Sequence, residues 1–245
     1  RVQKKKVYKI IKEGTVVPKP AEFKTTFTYI PSTLQENQYI KESSHDLKDY
    51  VPLVLTINSR LKEVEIINRE GVKTTFVCQS KVPIENDANI NLFKTIIHKN
   101  ETELYLYSLV DKANEIEVIL PINKDLELFE FPERVARLFL YYPLVGSEDF
   151  GLNFIINCNQ FLPNEPRSGI HLNSNKDQVR EQEEANRNIL KIASSLVFRF
   201  LKSNVLKVEN PLFYANVNFK RNSENALLNE YFEGLQEIWN DELKN

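Results

Sequence analysis

Methionine is absent from all 245 residues, including position 1, although a chain of this length ordinarily carries several. The absence indicates a fragment of a longer protein. The basic opening RVQKKK is not followed by the apolar segment and small-residue cleavage site of a signal peptide. No apolar run in the sequence approaches the roughly 20 residues of a membrane-spanning helix. We therefore expect a cytoplasmic protein without a membrane partner.

Cysteine is scarce as well. The only two, Cys78 and Cys158, lie in strand-like runs far apart in the sequence. Disulfide frameworks and zinc sites need more cysteines at closer spacing, so we expect two buried, reduced thiols. The histidines His45, His98 and His171 have neither HExxH spacing nor neighbouring cysteines, which favours no metal site.

The six glycines exclude several common active sites. None of them forms GxGxxG, GxxxxGK[ST] or GxSxG, so these residues hold no common phosphate-binding loop and no nucleophile elbow. Nothing in the sequence indicates burial of the carboxylate pairs Asp46/Asp49 and Glu148/Asp149, which we interpret as solvated turn or helix-start residues. The alternating charges from Arg180 to Arg187 are typical of a solvated helix face.

Net charge is also low. Lysine and arginine number 32 against 34 acidic residues, which gives a formal charge of -2. A chain so nearly neutral has no overall attraction for a polyanion, so nucleic acid is not expected as a partner. With 42% hydrophobic residues, the chain can bury one large core or two smaller ones.

Strand signals dominate the first part of the sequence. Alternation in Glu22–Ile30 predicts a strand, and Ser43–Ser44 predicts the N-cap of a helix that Pro52 either limits or kinks. Runs rich in β-branched and aromatic residues then predict a hairpin and a β-meander. These runs are Leu61–Asn68, Lys73–Gln79, Leu92–His98, Glu103–Leu109 and Glu115–Leu120.

Helical signals dominate the last third. Gln178–Ser203 is predicted to form a long amphipathic helix, with Ser174 and Asp177 as its capping box. Asn225–Leu243 predicts a second one. Its apolar stripe comprises Leu228, Tyr231, Phe232, Leu235, Ile238 and Trp239. Strands first and helices last predict an α+β fold, in two lobes that meet within Gln79–Asn91.

The chain is organised around residues 131–177. Two very apolar strand-like runs, Arg137–Leu144 and Leu152–Cys158, flank a Gly-Ser-Glu-Asp turn, and the polar loop Asn164–Asn175 follows them. A packed scaffold fixes the position of such a loop while its polar groups stay free to meet a ligand. The loop is either a functional segment or only a strand-to-helix connection.

The run LFLYYPLVGSEDFGLNFIINCNQFLPNEPRSGIHLNSNKD, a long helix and YFEGLQEIWNDEL together resemble sacsin-type bacterial ATP-binding proteins of the GHKL superfamily, downstream of the nucleotide pocket. That superfamily includes gyrase, the ATP-driven heat-shock chaperone, histidine kinases and MutL. The earlier stretches FKTTFTYIPS and LKDYVPLVLTINSRLKEVEI resemble the end of its ATP-binding domain. The Asn-bearing, metal-chelating helix and the Asp-x-Gly adenine motif are absent here and would lie upstream of Arg1.

The resemblance implies that residues 1–80 are the C-terminal part of a GHKL-like ATP-binding domain and residues 81–245 a transducer-like or middle-like α+β domain. The fragment would couple ATP binding in an upstream domain to conformational change in a large chaperone-like protein. ATP and Mg²⁺ would bind to the parent protein, itself an ATPase, and not to this fragment alone. The implied partners are the upstream domain and an unknown protein client, and the resemblance allows a homodimer.

In the chaperone and in MutL, the domain after the pocket sends a basic residue to the terminal phosphate of the nucleotide. A guanidinium suits this role because it can neutralise phosphoryl oxygens bidentately. The resemblance therefore favours Arg167 as the catalytic residue and Lys176 as the second choice. Asn164, Ser168 and Asn175 are the accompanying cofactor-binding residues.

The alternative function is a non-enzymatic protein–protein interaction module without a nucleotide role. Arg167 would then be a loop arginine in a salt bridge with Glu165 or Glu148. Sequence upstream of Arg1 discriminates between the two functions, since an Asn-bearing helix followed by Asp-x-Gly supports the ATPase.

Overall fold

A computed structural model describes residues 32–68, 70–86, 88, 90–164, 169–174, 177–207 and 226–244, except for the side chains of 44, 45, 243 and 244. The predicted strand Glu22–Ile30 lies outside these ranges. The chain divides into two compact units, Arg1–Glu42 and Ser43–Asn245. None of the helices in the described ranges is long and apolar enough to cross a membrane.

The predicted α+β fold with C-terminal helices is confirmed. The described helices are α1 (Leu34–Ile57), α2 (Glu181–Ser203) and α3 (Ala226–Lys244), with a short 3-10 helix at Glu148–Phe150. The described strands are β1 (Glu63–Ile67), β2 (Lys73–Ile84), β3 (Leu92–Lys99), β4 (Thr102–Asp111), β5 (Ile116–Leu120), β6 (Leu138–Leu140), β7 (Tyr142–Pro143) and β8 (Ile155–Cys158).

All eight strands belong to one sheet, in the order β1-β2-β3-β4-β5-β8-β6-β7. The first five pair antiparallel with their sequence neighbours, which confirms the predicted hairpin and meander. In the hairpin turn the Asn68 Oδ1 accepts the N–H groups of Glu70 and Val72, at 3.0 and 2.8 Å. Gly71 adopts a left-handed φ of 77°, which a residue with a side chain rarely adopts.

The composition of the central apolar run Arg137–Leu144 predicts one strand, but the structure has two short strands there. Tyr141 adopts a φ of 64° and splits the run into β6 and β7, which fold back on each other. The backbone N–H of Tyr141 donates to the Asn157 Oδ1 at 2.9 Å. β6 then pairs in parallel with β8, so the segment between them is a crossover connection.

Helix α1 begins earlier than predicted, at Leu34 and not after Ser43–Ser44. The Thr33 Oγ1 accepts the N–H of Glu36 at 3.1 Å, and the Glu36 carboxylate accepts the N–H of Ser32 at 2.6 Å. These bonds satisfy backbone donors that a helix start leaves open. Pro52 lies inside the helix, which continues through it to Ile57.

At β5 both faces of the sheet are covered, so all five residues of this strand are buried. On one face Val51 and Leu55 of α1 join a cluster with Phe76 and Phe139. On the other face α2 and α3 form a second cluster, whose buried members include Leu109, Val118, Leu138, Ile156, Leu190, Val197 and Trp239. The sheet is therefore the common wall of two hydrophobic clusters.

The segment Gln79–Asn91, where two lobes were expected to meet, contains the end of β2 and leads into β3 of the same sheet. The boundary between residues 80 and 81 falls inside β2. The assignment of residues 1–80 to an ATP-binding domain stays a prediction. Both cysteines are free, as predicted, but only Cys158 is buried, whereas Cys78 is half-buried. Burial raises the pKa of the Cys158 thiol.

Candidate functional site

The polar loop after β8 is closed at its base by backbone contacts. Pro163 and Ile170 form an isolated antiparallel bridge, and the Asn164 N–H donates to the Gly169 carbonyl at 3.1 Å. Asn164 is half-buried, and its buried Oδ1 has no hydrogen-bond partner among the residues that the structure describes. Asn164 and Gly169, which flank residues 165–168, are therefore adjacent in the structure.

A buried amide on α2 holds this base in place. Asn186 is fully buried, and its Nδ2 donates to the carbonyls of Leu162 and His171, each at 2.9 Å. Its Oδ1 accepts the Leu162 N–H, also at 2.9 Å. A single side chain thus pairs with backbone groups on both sides of the loop.

A buried carboxylate fixes the second half of the loop. Glu183 is fully buried in the first turn of α2 and accepts hydrogen bonds from the N–H of Ser174 at 2.8 Å and from the Ser174 hydroxyl. It also accepts the Arg180 N–H at 3.1 Å. Burial by itself raises the pKa of Glu183, but these donors, with the charge of Arg187, outweigh burial and lower it.

The loop is also tied to α3. The Arg187 Nε donates to the Leu172 carbonyl at 2.7 Å, and its guanidinium lies 5.1 Å from the centre of the Tyr231 ring. The Asn173 Nδ2 donates to the Leu227 carbonyl at 2.7 Å. Burial raises the pKa of Tyr231 to about 12, which keeps its hydroxyl neutral.

These contacts correct two sequence predictions. The stretch from Arg180 to Arg187 is not simply a solvated face, because Glu183 and Asn186 point into the protein. The N-cap of α2 is Arg180, and Ser174 serves Glu183 instead of forming a capping box with Asp177. The sequence signal for the burial of Glu183 and Asn186 was a polar residue within an otherwise amphipathic pattern. Such a pattern does not show which polar residues have hydrogen-bond partners inside the protein.

Of the predicted site residues, only Asn164 lies among the described residues. Arg167, Lys176, Ser168 and Asn175 lie outside them, as does Glu165. Glu148, the other carboxylate considered for Arg167, accepts the Gly146 N–H at 2.6 Å. The assignment of Arg167, Lys176 and their polar neighbours to a nucleotide stays a prediction.

A second polar cluster lies under the end of α1. The Lys81 Nζ contacts the Glu117 Oε1 at 2.5 Å and donates to the Thr56 carbonyl at 3.0 Å. A cation is favourable there because the last carbonyls of a helix carry partial negative charge. The sequence does not reveal this pair because Lys81 on β2 and Glu117 on β5 belong to strands that are distant in the chain and are not paired with each other in the sheet.

The remaining carboxylates and histidines do not form a reactive centre within the described ranges. Asp46 and Asp49 are not simply solvated, because both pair with Arg134. The His98 Nε2 lies 2.7 Å from the Gln79 Oε1. Among the described residues there is no group of three His, Cys, Asp or Glu side chains that could hold a metal ion.

The described part of the loop is therefore attached to α2 and α3 by hydrogen bonds, and it supplies no reacting group of its own. The Glu183 carboxylate is occupied by the donors of Ser174 and Arg180, so it is not free to act as a general base, and the Asn186 amide is not basic. Comparison of the chain with protein-family models, with curated proteins and with solved structures returned no match.

Proposed function

We propose that this chain is the transducer segment of a larger GHKL-like, chaperone-like ATPase, in which the loop after β8 carries a basic residue to nucleotide held by an upstream domain. ATP and Mg²⁺ belong to that upstream pocket. The proposal originates in the sequence resemblance. The structural observation that supports it is the attachment of both halves of the loop to α2.

The attachment matters because a charge stabilises a transition state best when it is already in position. Arg167 follows Asn164 and precedes Gly169, whose backbones are hydrogen-bonded to each other. Lys176 comes shortly after Ser174, which Glu183 holds. Both basic residues are therefore close in sequence to backbone that α2 holds. A movement of α2 would displace that backbone.

The test is the steady-state ATPase activity of the intact parent protein carrying Arg167→Ala. We expect kcat to fall by about 10²–10³-fold, with a smaller change in apparent ATP affinity, because charge develops on the phosphoryl oxygens during transfer. Lys176→Ala, measured in parallel, decides which of the two basic residues has this role.

Arg60→Ala is the matched control, since Arg60 is an exposed arginine in a turn on a different part of the chain. It should leave turnover unchanged. Unchanged turnover in both Arg167→Ala and Lys176→Ala, with folding intact by circular dichroism, would eliminate the phosphate-sensing role.

A protein–protein interaction module is the second candidate, and a surface feature favours it. Leu47, Tyr142 and Val145 are 45%, 60% and 65% exposed and line one mostly apolar cavity. Exposed apolar side chains gathered in one place commonly mark an interaction site.

A further inference from the structure

The two outer strands of the sheet line the same cavity. β1 and β7 are the first and last strands in the sheet order, yet Val64 of β1 and Tyr142 and Pro143 of β7 surround one space of about 460 Å³. Its floor is formed by α1, through Tyr50 and Val54. The sheet therefore curls around α1 far enough for its edges to flank a groove, here called the edge groove.

The β1 side of the edge groove can form backbone hydrogen bonds. Within the described residues β1 pairs with β2 alone, so every second residue of β1 directs its N–H and C=O away from the sheet. β7 is only two residues long and contains Pro143, which has no N–H to donate. A strand entering the groove would thus pair with β1 on one side and pack against Tyr142 and Pro143 of β7 on the other.

The side chains of β1 specify what such a strand would carry. Val64 and Ile66 face the α1 cluster, whereas Glu63 and Glu65 alternate with them and are exposed. On the neighbouring strand Lys73 pairs with Glu65 and also acts electrostatically on Glu63, so two carboxylates share one cation. Side chains directly opposite across a strand pair interact, so an incoming strand gains from basic residues here.

We propose that the edge groove binds an extended segment of a partner protein in which apolar and basic residues alternate, added as a strand to the edge of β1 that no other described strand covers. Its apolar side chains lie on Tyr50 and Val54, and its basic side chains face Glu63 and Glu65. A helix would leave the free backbone groups of β1 unpaired, which is why the extended form is favoured. This inference does not depend on the nucleotide role proposed above.

The test starts from a phage-displayed library of linear peptides of about nine residues, a length that spans about 30 Å when extended. Selection against the chain should enrich peptides in which apolar residues alternate with Lys or Arg. A synthetic enriched peptide should bind with a Kd in the micromolar range by fluorescence polarisation. N-methylation of alternate amides should weaken binding by about tenfold or more in one register, because those amides face β1, and much less in the other.

Protein variants locate the site. Leu47→Asp and Val145→Asp alter exposed residues of the groove and should weaken the peptide by about tenfold or more, because each places a charge against apolar side chains. Glu63→Lys should weaken it by several-fold through repulsion of its basic residues. Ile238→Asp and Val179→Asp are matched controls at exposed apolar positions away from the groove and should leave binding unchanged.

Three outcomes would overturn the proposal. One is the absence of enrichment, or enrichment of peptides with apolar residues three and four apart. Another is binding that is indifferent to both groove variants while their circular dichroism stays native. The last is a concentration-dependent dimer of the chain alone, seen by light scattering and abolished by Val145→Asp, which would assign the edge groove to a second copy.

Discussion

Glu183 and Asn186 show how polar side chains can be buried without a net cost. A carboxylate or amide removed from water loses several hydrogen bonds, and each residue recovers them from backbone groups of the loop. The exchange is favourable only while every donor and acceptor stays paired. Removing either side chain would take hydrogen-bond partners away from these backbone N–H and C=O groups.

The ionisation of Glu183 should make stability depend on pH. Its pKa is lowered in the folded protein, so its contribution is fully present above its ordinary value of 4.5 and is lost as the pH falls through the lowered value. Glu183→Gln should therefore cost about 1–3 kcal/mol at pH 7. The difference from wild type should persist to about pH 5.5 and narrow below about pH 4.5, in urea denaturation at each pH.

Glu184→Gln is the control, because Glu184 is the next residue of the same helix turn and is exposed. It should cost less than about 0.5 kcal/mol at any of these pH values. Equal costs for the two variants, or a Glu183→Gln cost that does not change with pH, would contradict the role assigned to the carboxylate.

At the scale of elements, the break between β6 and β7 decides how the end of the sheet is built. Tyr141 is a bulky residue in the left-handed region, which ordinarily costs about 1–2 kcal/mol relative to right-handed backbone. Its N–H bond to Asn157 is one compensation. The reversal it causes leaves β6 free to pair in parallel with β8 and places Tyr142 at the sheet edge.

Tyr141→Asn should stabilise the protein by about 0.5–1 kcal/mol, because Asn tolerates the left-handed region and retains the backbone bond to Asn157. The side chain that is removed is 46% exposed, and its hydroxyl accepts one exposed hydrogen bond, from the Asn159 Nδ2 at 3.2 Å. Tyr142→Asn, at the adjacent exposed position in extended backbone, should be neutral or destabilising. Urea denaturation of both variants measures the difference, and a loss of stability in Tyr141→Asn that matches Tyr142→Asn would refute the account.

At the scale of the molecule, one sheet supports two hydrophobic clusters. Along β5 the buried side chains alternate between them, with Val118 in one and Ile119 in the other. The single tryptophan, Trp239, is fully buried on the α3 side, with ring centres of Phe154 and Phe198 at 5.5 and 4.3 Å. The same strands supply side chains to both clusters. Loss of packing on one face would therefore also disturb the cluster on the other face.

Residues 43–245 should therefore unfold in one transition. Trp239 fluorescence and far-ultraviolet circular dichroism should give the same urea midpoint. The double variant Trp239→Phe with Leu47→Trp moves the probe to the exposed side of α1, on the other face of the sheet, and fluorescence and circular dichroism of that variant should again coincide. Separate midpoints for the two probes would instead support two lobes that unfold independently.

The elements that the sequence alone predicted are those governed by local periodicity. The hairpin around Gly71, the meander β3–β5 and the helices α2 and α3 follow from alternation or from 3.6-residue spacing, which neighbouring residues determine by themselves. One local prediction failed where a single residue overrides the pattern, because Tyr141 ends a strand within an apolar run. Pro52 does not end α1, which continues to Ile57.

Only the tertiary structure decided which polar residues are buried and which strands meet. Ile238 belongs to the predicted apolar stripe of α3 yet is 57% exposed, whereas Glu183 and Asn186 are completely buried. The parallel pairing of β6 with β8 and the approach of β1 to β7 around α1 join segments distant in the chain. Periodicity states which face of an element is apolar, but burial and pairing are set by what packs against that face.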